Sequence, residues 1–172
     1  MTTFVALLRA VNVGGTGKLP MADLRALCEA AGFRSVRTYI ASGNVVFDGE
    51  ASEAEVKALL ERRLHDLAGR AVGVMVRTGP EMAAILARNP FADRAPNRTV
   101  AIFLDRPPPQ DLLERLSGRV DEEVALGTRE VYVHYGETMG RSTLRLPGTE
   151  TGTARNMNTV ATLRDMVLGT RA

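Results

Sequence analysis

The sequence predicts an α+β protein made of two ferredoxin-like β-α-β-β-α-β units, the second incomplete, with a C-terminal helix. Three observations carry this. Short apolar runs alternate with segments of helical period in the order β-α-β-β-α-β over residues 1–77. A similar order restarts at residue 97. Capping-box pairs, Ser52 with Glu55 and Thr78 with Glu81, mark where helices begin. The expected division is 1–77 for the first unit, 78–96 for a connecting helix and loop, and 97–172 for the second unit with its last helix.

The elements follow in turn. Residues 3–10 form a continuous apolar strand. Pro20 opens a helix, where its missing N–H does no harm, and Met21, Leu24, Leu27, Cys28 and Ala31 recur along one face up to Gly32. Val36–Ile40 and Asn44–Phe47 read as strands joined by Ala41-Ser42-Gly43. Val56, Leu59, Leu60, Leu64 and Leu67 give the second helix its apolar face, and Val72–Arg77 closes the unit as a strand. Met82, Ile85 and Leu86 follow the Thr78 cap, and Asn89-Pro90 stops that helix. Thr99–Leu104 is a strand, Leu112, Leu113 and Leu116 lie on a helix, and residues 123–126 and 130–135 form a hairpin. A helical piece is expected near 139–144, a flexible loop over 147–152, and a final helix capped by Asn158 or Thr159.

With 172 residues, 45% hydrophobic and 24% charged, the chain suits a globular fold. No run of about 18 apolar residues is present, so no membrane span is expected. The start lacks the pattern of a secretory leader, which leads us to expect a cytoplasmic location. The single cysteine, Cys28, reads as a core residue. A net charge of +2 is too mild for wholesale nucleic-acid binding. No Cys pair or His spacing suggests a metal site. His65 and His134 have no partner acid and serine nearby in sequence, so both read as structural, and Asp121-Glu122-Glu123 as a solvated charge run.

Three polar motifs interrupt apolar elements. The first follows the opening strand: Arg9, then Asn12, Gly14, Gly15 and Lys18. It is not a Walker A loop, because position 12 is Asn and position 19 is Leu. Glycine-rich backbone before a helix nevertheless suits an anion, and Arg9 and Lys18 add positive charge. Lys18 and Lys57 are the only lysines; Lys57 reads as an ordinary solvated helix position. The second motif is Ser42-Gly43-Asn44, a turn whose serine and amide could donate hydrogen bonds to a polar ligand. The third lies near the C-terminus: Arg155, Asn156 and Asn158, with Arg141 shortly before. Phe4 and Phe47 could stack bases in an RNA-binding domain, but they read more simply as core.

These residues carry a family resemblance. Leu8-Arg9-Ala10-Val11-Asn12-Val13-Gly14-Gly15, Lys18-Leu19-Pro20-Met21 and Tyr39-Ile40-Ala41-Ser42-Gly43-Asn44-Val45-Val46-Phe47 are similar to the N-terminal block of the bacterial domain of unknown function 1697 family. Val131–Tyr135, Gly140-Arg141-Ser142 and Ala154–Val160 resemble its C-terminal motifs. The resemblance implies an α+β fold of ferredoxin-like units and no established activity. Members of that family tend to have glycine where Ala10 stands, an aromatic where Met157 stands, and a longer helix where residues 144–152 look shortened.

The expected function is binding of a small phosphorylated or nucleotide-like anion. Arg9, Asn12, Gly14, Gly15 and Lys18 would form one wall, Ser42 and Asn44 would donate, and Arg141, Arg155, Asn156 and Asn158 would close the site. A nucleic-acid-binding module, and an interaction or structural protein without a ligand, are the alternatives. No base and nucleophile pair is legible, so a catalysed reaction stays open; no cofactor can be named, and the oligomeric state is not fixed.

Overall fold

A computed structural model describes residues 1–10 and 18–169. Asn12, Gly14 and Gly15 therefore lie outside the described residues. The chain divides into two compact units, Met1–Ala83 together with the segment from Leu163 onward, and Ala84–Thr162.

The first unit holds strands β1 (Thr2–Leu8), β2 (Arg34–Thr38), β3 (Asn44–Gly49) and β4 (Val74–Thr78) in one antiparallel sheet ordered β2-β3-β1-β4. Helices α1 (Met21–Ala30) and α2 (Glu53–Ala68) supply its apolar cover. The face that carries Phe4, Ala6 and Leu8 on β1 and Val45 and Phe47 on β3 packs with Leu24 and Cys28 of α1 and Val56, Leu60 and Leu64 of α2. Phe47 is fully buried, stacked on Phe33 at a centroid distance of 4.3 Å and tilted against Phe4 at 6.0 Å. Both phenylalanines expected in the core are there. Burial pushes the Cys28 thiol up to about 12, which leaves it inert.

The capping box at α2 forms as the sequence predicts: Glu55 N–H donates to Ser52 Oγ at 3.2 Å, and Ser52 N–H to Glu55 Oε1 at 3.0 Å. Lys57 differs from expectation. Its ammonium donates to the Val74 carbonyl at 2.7 Å and pairs with Glu61 at 2.9 Å, while Glu61 accepts from Val74 N–H at 3.0 Å. The pair satisfies both main-chain groups of Val74 on an edge strand, which shields the edge from further pairing. Strand β2 also starts earlier than its apolar residues suggest, because a bulge between Arg34 and Arg37 admits Ser35 at φ 52.

Helix α3 (Gly79–Ala87) follows β4 and is capped by the Thr78–Glu81 pair at 2.9 and 3.4 Å. The second unit has β5 (Thr99–Phe103), α4 (Leu112–Arg115), β6 (Glu123–Leu126), β7 (Glu130–His134) and β8 (Thr153–Asn156), with a sheet ordered β6-β7-β5-β8. This is the first sheet's order over again. The second helix of the ferredoxin-like pattern is absent here; Leu144 and Leu146, on an irregular segment, pack against the core of Val100, Val131 and Val133 instead.

Three features of this region differ from expectation. Strand β8 was not expected, and the last helix α5 (Met157–Val167) is capped by neither Asn158 nor Thr159. Asn156 Oδ1 accepts the Thr159 N–H at 2.9 Å, so the cap sits at the strand's last residue. The acidic run is not solvated throughout either. Glu122 is buried, and Glu123 pairs with Arg94.

The registers equate the two units residue by residue. Leu7 faces Asn44 as Phe103 faces Glu130, and Val5 faces Arg77 as Ala101 faces Arg155. Arg77 and Arg155 are both buried, and each donates from Nη1 to the carbonyl of its preceding residue at 2.9 Å. Each is followed by a residue that caps the next helix, Thr78 or Asn156. The duplication in element order is thus also present in side-chain chemistry.

Candidate functional site

The first unit gathers three of the sequence features at one end of its sheet. Both β1 and β2 are antiparallel to β3, so they run parallel to each other. The β2–β3 turn therefore lies at the end where β1 finishes. Leu8 N–H donates to the Gly43 carbonyl at 2.8 Å, tying that turn to β1. Arg9 N–H donates to the Gly73 carbonyl at 2.8 Å, extending the ladder by one residue and leaving the Arg9 side chain exposed. The short link 31–33 holds the C-terminus of α1 near the start of β2. The N-terminus of α1, with the exposed Lys18 just before it, therefore lies toward the end where β1 finishes. Arg70, in the link that leads into β4 at this same end, is a half-buried cation that sequence reading passed over. Its position is set by pairing of β4 with β1, which no local pattern reveals.

Ser42 and Asn44 have different tasks. Asn44 is fully buried, and its Nδ2 donates to the Tyr39 carbonyl and to Ser42 Oγ, both at 2.9 Å. The amide shapes the turn. Ser42 is half-buried, and its Oγ is the acceptor in that bond.

Two residues at this end hold left-handed backbone although they are not glycine: Ala10 at φ 55 and Ile40 at φ 50. Such a conformation costs an L-residue about 1–2 kcal/mol, and local strain of this kind collects at functional sites. Ala10 stands where the resemblance implies glycine, and its φ supplies the physical reason. Ala10→Gly should stabilise the protein by a net 0.5–1 kcal/mol, roughly, after the added flexibility of the unfolded chain is subtracted. Urea denaturation checks this; an unchanged or lower midpoint would count against the strain.

The second unit serves as an internal control. By the same registers, Asp105 stands where Arg9 does, and Glu130 stands where Asn44 does. Glu130 is buried and accepts the N–H groups of Thr128 and Arg129, each at 3.0 Å. Arg106 and Arg129 flank this end, but the position next to the turn is a fixed carboxylate rather than a neutral amide.

The remaining candidates belong to the second unit. Arg141 is exposed at the end of a short 3-10 turn, Met139–Arg141. Arg155 is buried on β8, donating to Thr153 Oγ1 at 2.7 Å as well as to the Ala154 carbonyl, and desolvation lowers its pKa to about 10. Asn156 caps α5, and Asn158 is exposed in its first turn. His134 Nδ1 lies 2.9 Å from Thr99 Oγ1 on the neighbouring strand. Among the described residues, no three His, Cys, Asp or Glu side chains gather as metal ligands, and no helix is long and apolar enough to cross a membrane.

Sheet order, registers and repeated caps define a duplicated α+β protein of two ferredoxin-like units, with a polar, cation-bearing strand end in the first. The chain belongs to the DUF1697 family of proteins of unknown function, whose family model matches residues 1–132. It is also similar to a conserved bacterial protein from Streptococcus pneumoniae of solved structure, with a TM-score of 0.79 and 24% identity over 96% of this chain and 98% of that one. At that identity the likeness speaks for the fold alone. Comparison with curated proteins gave no match.

Proposed function

We propose that the first unit binds a small phosphorylated anion at the end of β1. Arg9 and Lys18 supply charge, Ser42 supplies a polar hydroxyl, and Asn44 holds the turn that presents it. The bond between Leu8 and Gly43 carries the reading, because it brings two polar motifs more than 30 residues apart in sequence to one place. The charge contrast with Asp105 and Glu130 in the second unit supports it. The nucleic-acid alternative is weaker, since Phe4 and Phe47 are buried among α1, α2 and the sheet rather than presented to bases.

Two exposed cations that meet an anion act mainly through charge, so their loss should be felt as affinity. The double variant Arg9→Ala/Lys18→Ala should lose the thermal shift that pyrophosphate gives the parent protein, while Arg106→Ala/Arg129→Ala should keep it. Equal shifts in all three proteins would reject the site.

A further inference from the structure

The turn that carries Ser42 is longer and more strained than its corner requires. Tyr39 N–H donates to the Asn44 carbonyl at 3.0 Å and Asn44 Nδ2 to the Tyr39 carbonyl at 2.9 Å, enclosing residues 40–43. The matching hairpin of the second unit closes with Gly127 N–H to the Glu130 carbonyl at 2.7 Å and encloses only residues 128 and 129. That shorter turn uses no left-handed residue, whereas the first uses Gly43 at φ 87 and Ile40 at φ 50. Glycine adopts this conformation freely; a residue branched at Cβ is poorly suited to it. Burial does not compensate, because Ile40 is 50% exposed. A turn serving only the fold would carry glycine or asparagine at position 40. Isoleucine there offers an apolar surface to water beside a cation-bearing strand end.

We propose that Ile40 is the apolar wall of the site and that the ligand is a nucleoside monophosphate. Its phosphate would be held by Arg9 and Lys18, and its base or sugar face laid on Ile40. This rests on the anion reading above. The spacing suits it: Tyr39, Asn44 and Leu7 lie abreast on three neighbouring strands, so about 10 Å, two interstrand spacings, separates the strand ends bearing Ile40 and Arg9. A lone phosphate cannot touch both, whereas a nucleotide, with its base set apart from its phosphate, can.

Calorimetric titration of AMP, GMP, CMP and UMP against inorganic phosphate tests this on the whole chain. At least one nucleotide should bind the parent about tenfold or more tighter than phosphate. Ile40→Asn should raise the melting temperature yet bring that nucleotide within about twofold of phosphate. Ile40→Leu, which keeps the apolar body, should retain the preference. Phosphate binding without any nucleotide preference, or a preference that survives Ile40→Asn, overturns this inference and leaves the anion site standing. No binding of any of the five anions overturns both.

Discussion

Phe47→Ala should lower the stability of the protein by about 3–5 kcal/mol, the range for removing a buried phenylalanine ring. Phe47 is 0% exposed and lies on the central part of the first sheet, on the face covered by α1 and α2. Its ring is stacked on Phe33 and tilted against Phe4, so its loss strips contacts from two other aromatics at once. The backbone cannot collapse into the space, because β3 is fixed between β2 and β1 by both ladders. Domains of this kind have only about 5–15 kcal/mol in hand. The melting temperature should fall by roughly 10 °C. Phe47→Leu, which keeps most of the volume, should recover the greater part of the loss. If Phe47→Ala melts within about 2 °C of the parent, the packing described for this core is wrong.

Much of the fold was legible because local and tertiary preferences agree. Ser52–Glu55 and Thr78–Glu81 are local devices, and both form as read. Strand β1 is apolar from Phe4 to Leu8 because both its faces are buried there. Strand β8 was missed because Thr-Ala-Arg-Asn has no apolar alternation. Pairing with β5 makes it a strand, and that pairing is long-range. The missed strand also displaced the cap, since a helix starting at Met157 needs its acceptor at Asn156.

The candidate site was legible in composition but not in conformation. Arg9, Lys18 and Ser42 stand out as polar breaks between apolar elements. Nothing local says that Asn44 points into its own turn or that Ile40 is left-handed, because φ is imposed by the Tyr39–Asn44 closure. Arg77 reads in sequence as the ordinary end of a strand. Only its counterpart in the second sheet, Arg155, reveals that a buried arginine before a helix cap is a repeated feature of this architecture. Arg155 therefore has a task within its own strand.

Glu122→Gln should cost about 2–3 kcal/mol, the scale of hydrogen bonds to a buried charged group. Glu122 is 1% exposed; its Oε1 accepts the N–H groups of Val120 at 2.7 Å and Asp121 at 3.1 Å, and its Oε2 accepts the Ser142 hydroxyl. Asp121 accepts the Thr138 hydroxyl at 2.9 Å. Two adjacent carboxylates thus hold both ends of the turn that carries Arg141. Glutamine keeps the shape, and its Oε1 still accepts both backbone N–H groups, but its Nε2 has to donate to Ser142 Oγ, so the hydroxyl turns and all three bonds lose the charge of the carboxylate. The Ser142 and backbone bonds hold the Glu122 carboxyl below its ordinary value. A lowered folded value means that the unfolded chain binds the proton more readily. The stabilisation is then complete above the unfolded value near pH 4.3 and is lost as pH falls through the lower folded value. Urea unfolding of the parent from pH 6 down to pH 3 should therefore show a decline that Glu122→Gln flattens, with the two stabilities converging in acid. Parallel acid limbs would show that Glu122 is not the clamp, and Ser142→Ala, which removes one bond and leaves the carboxylate, should lose about 1 kcal/mol with a weaker decline.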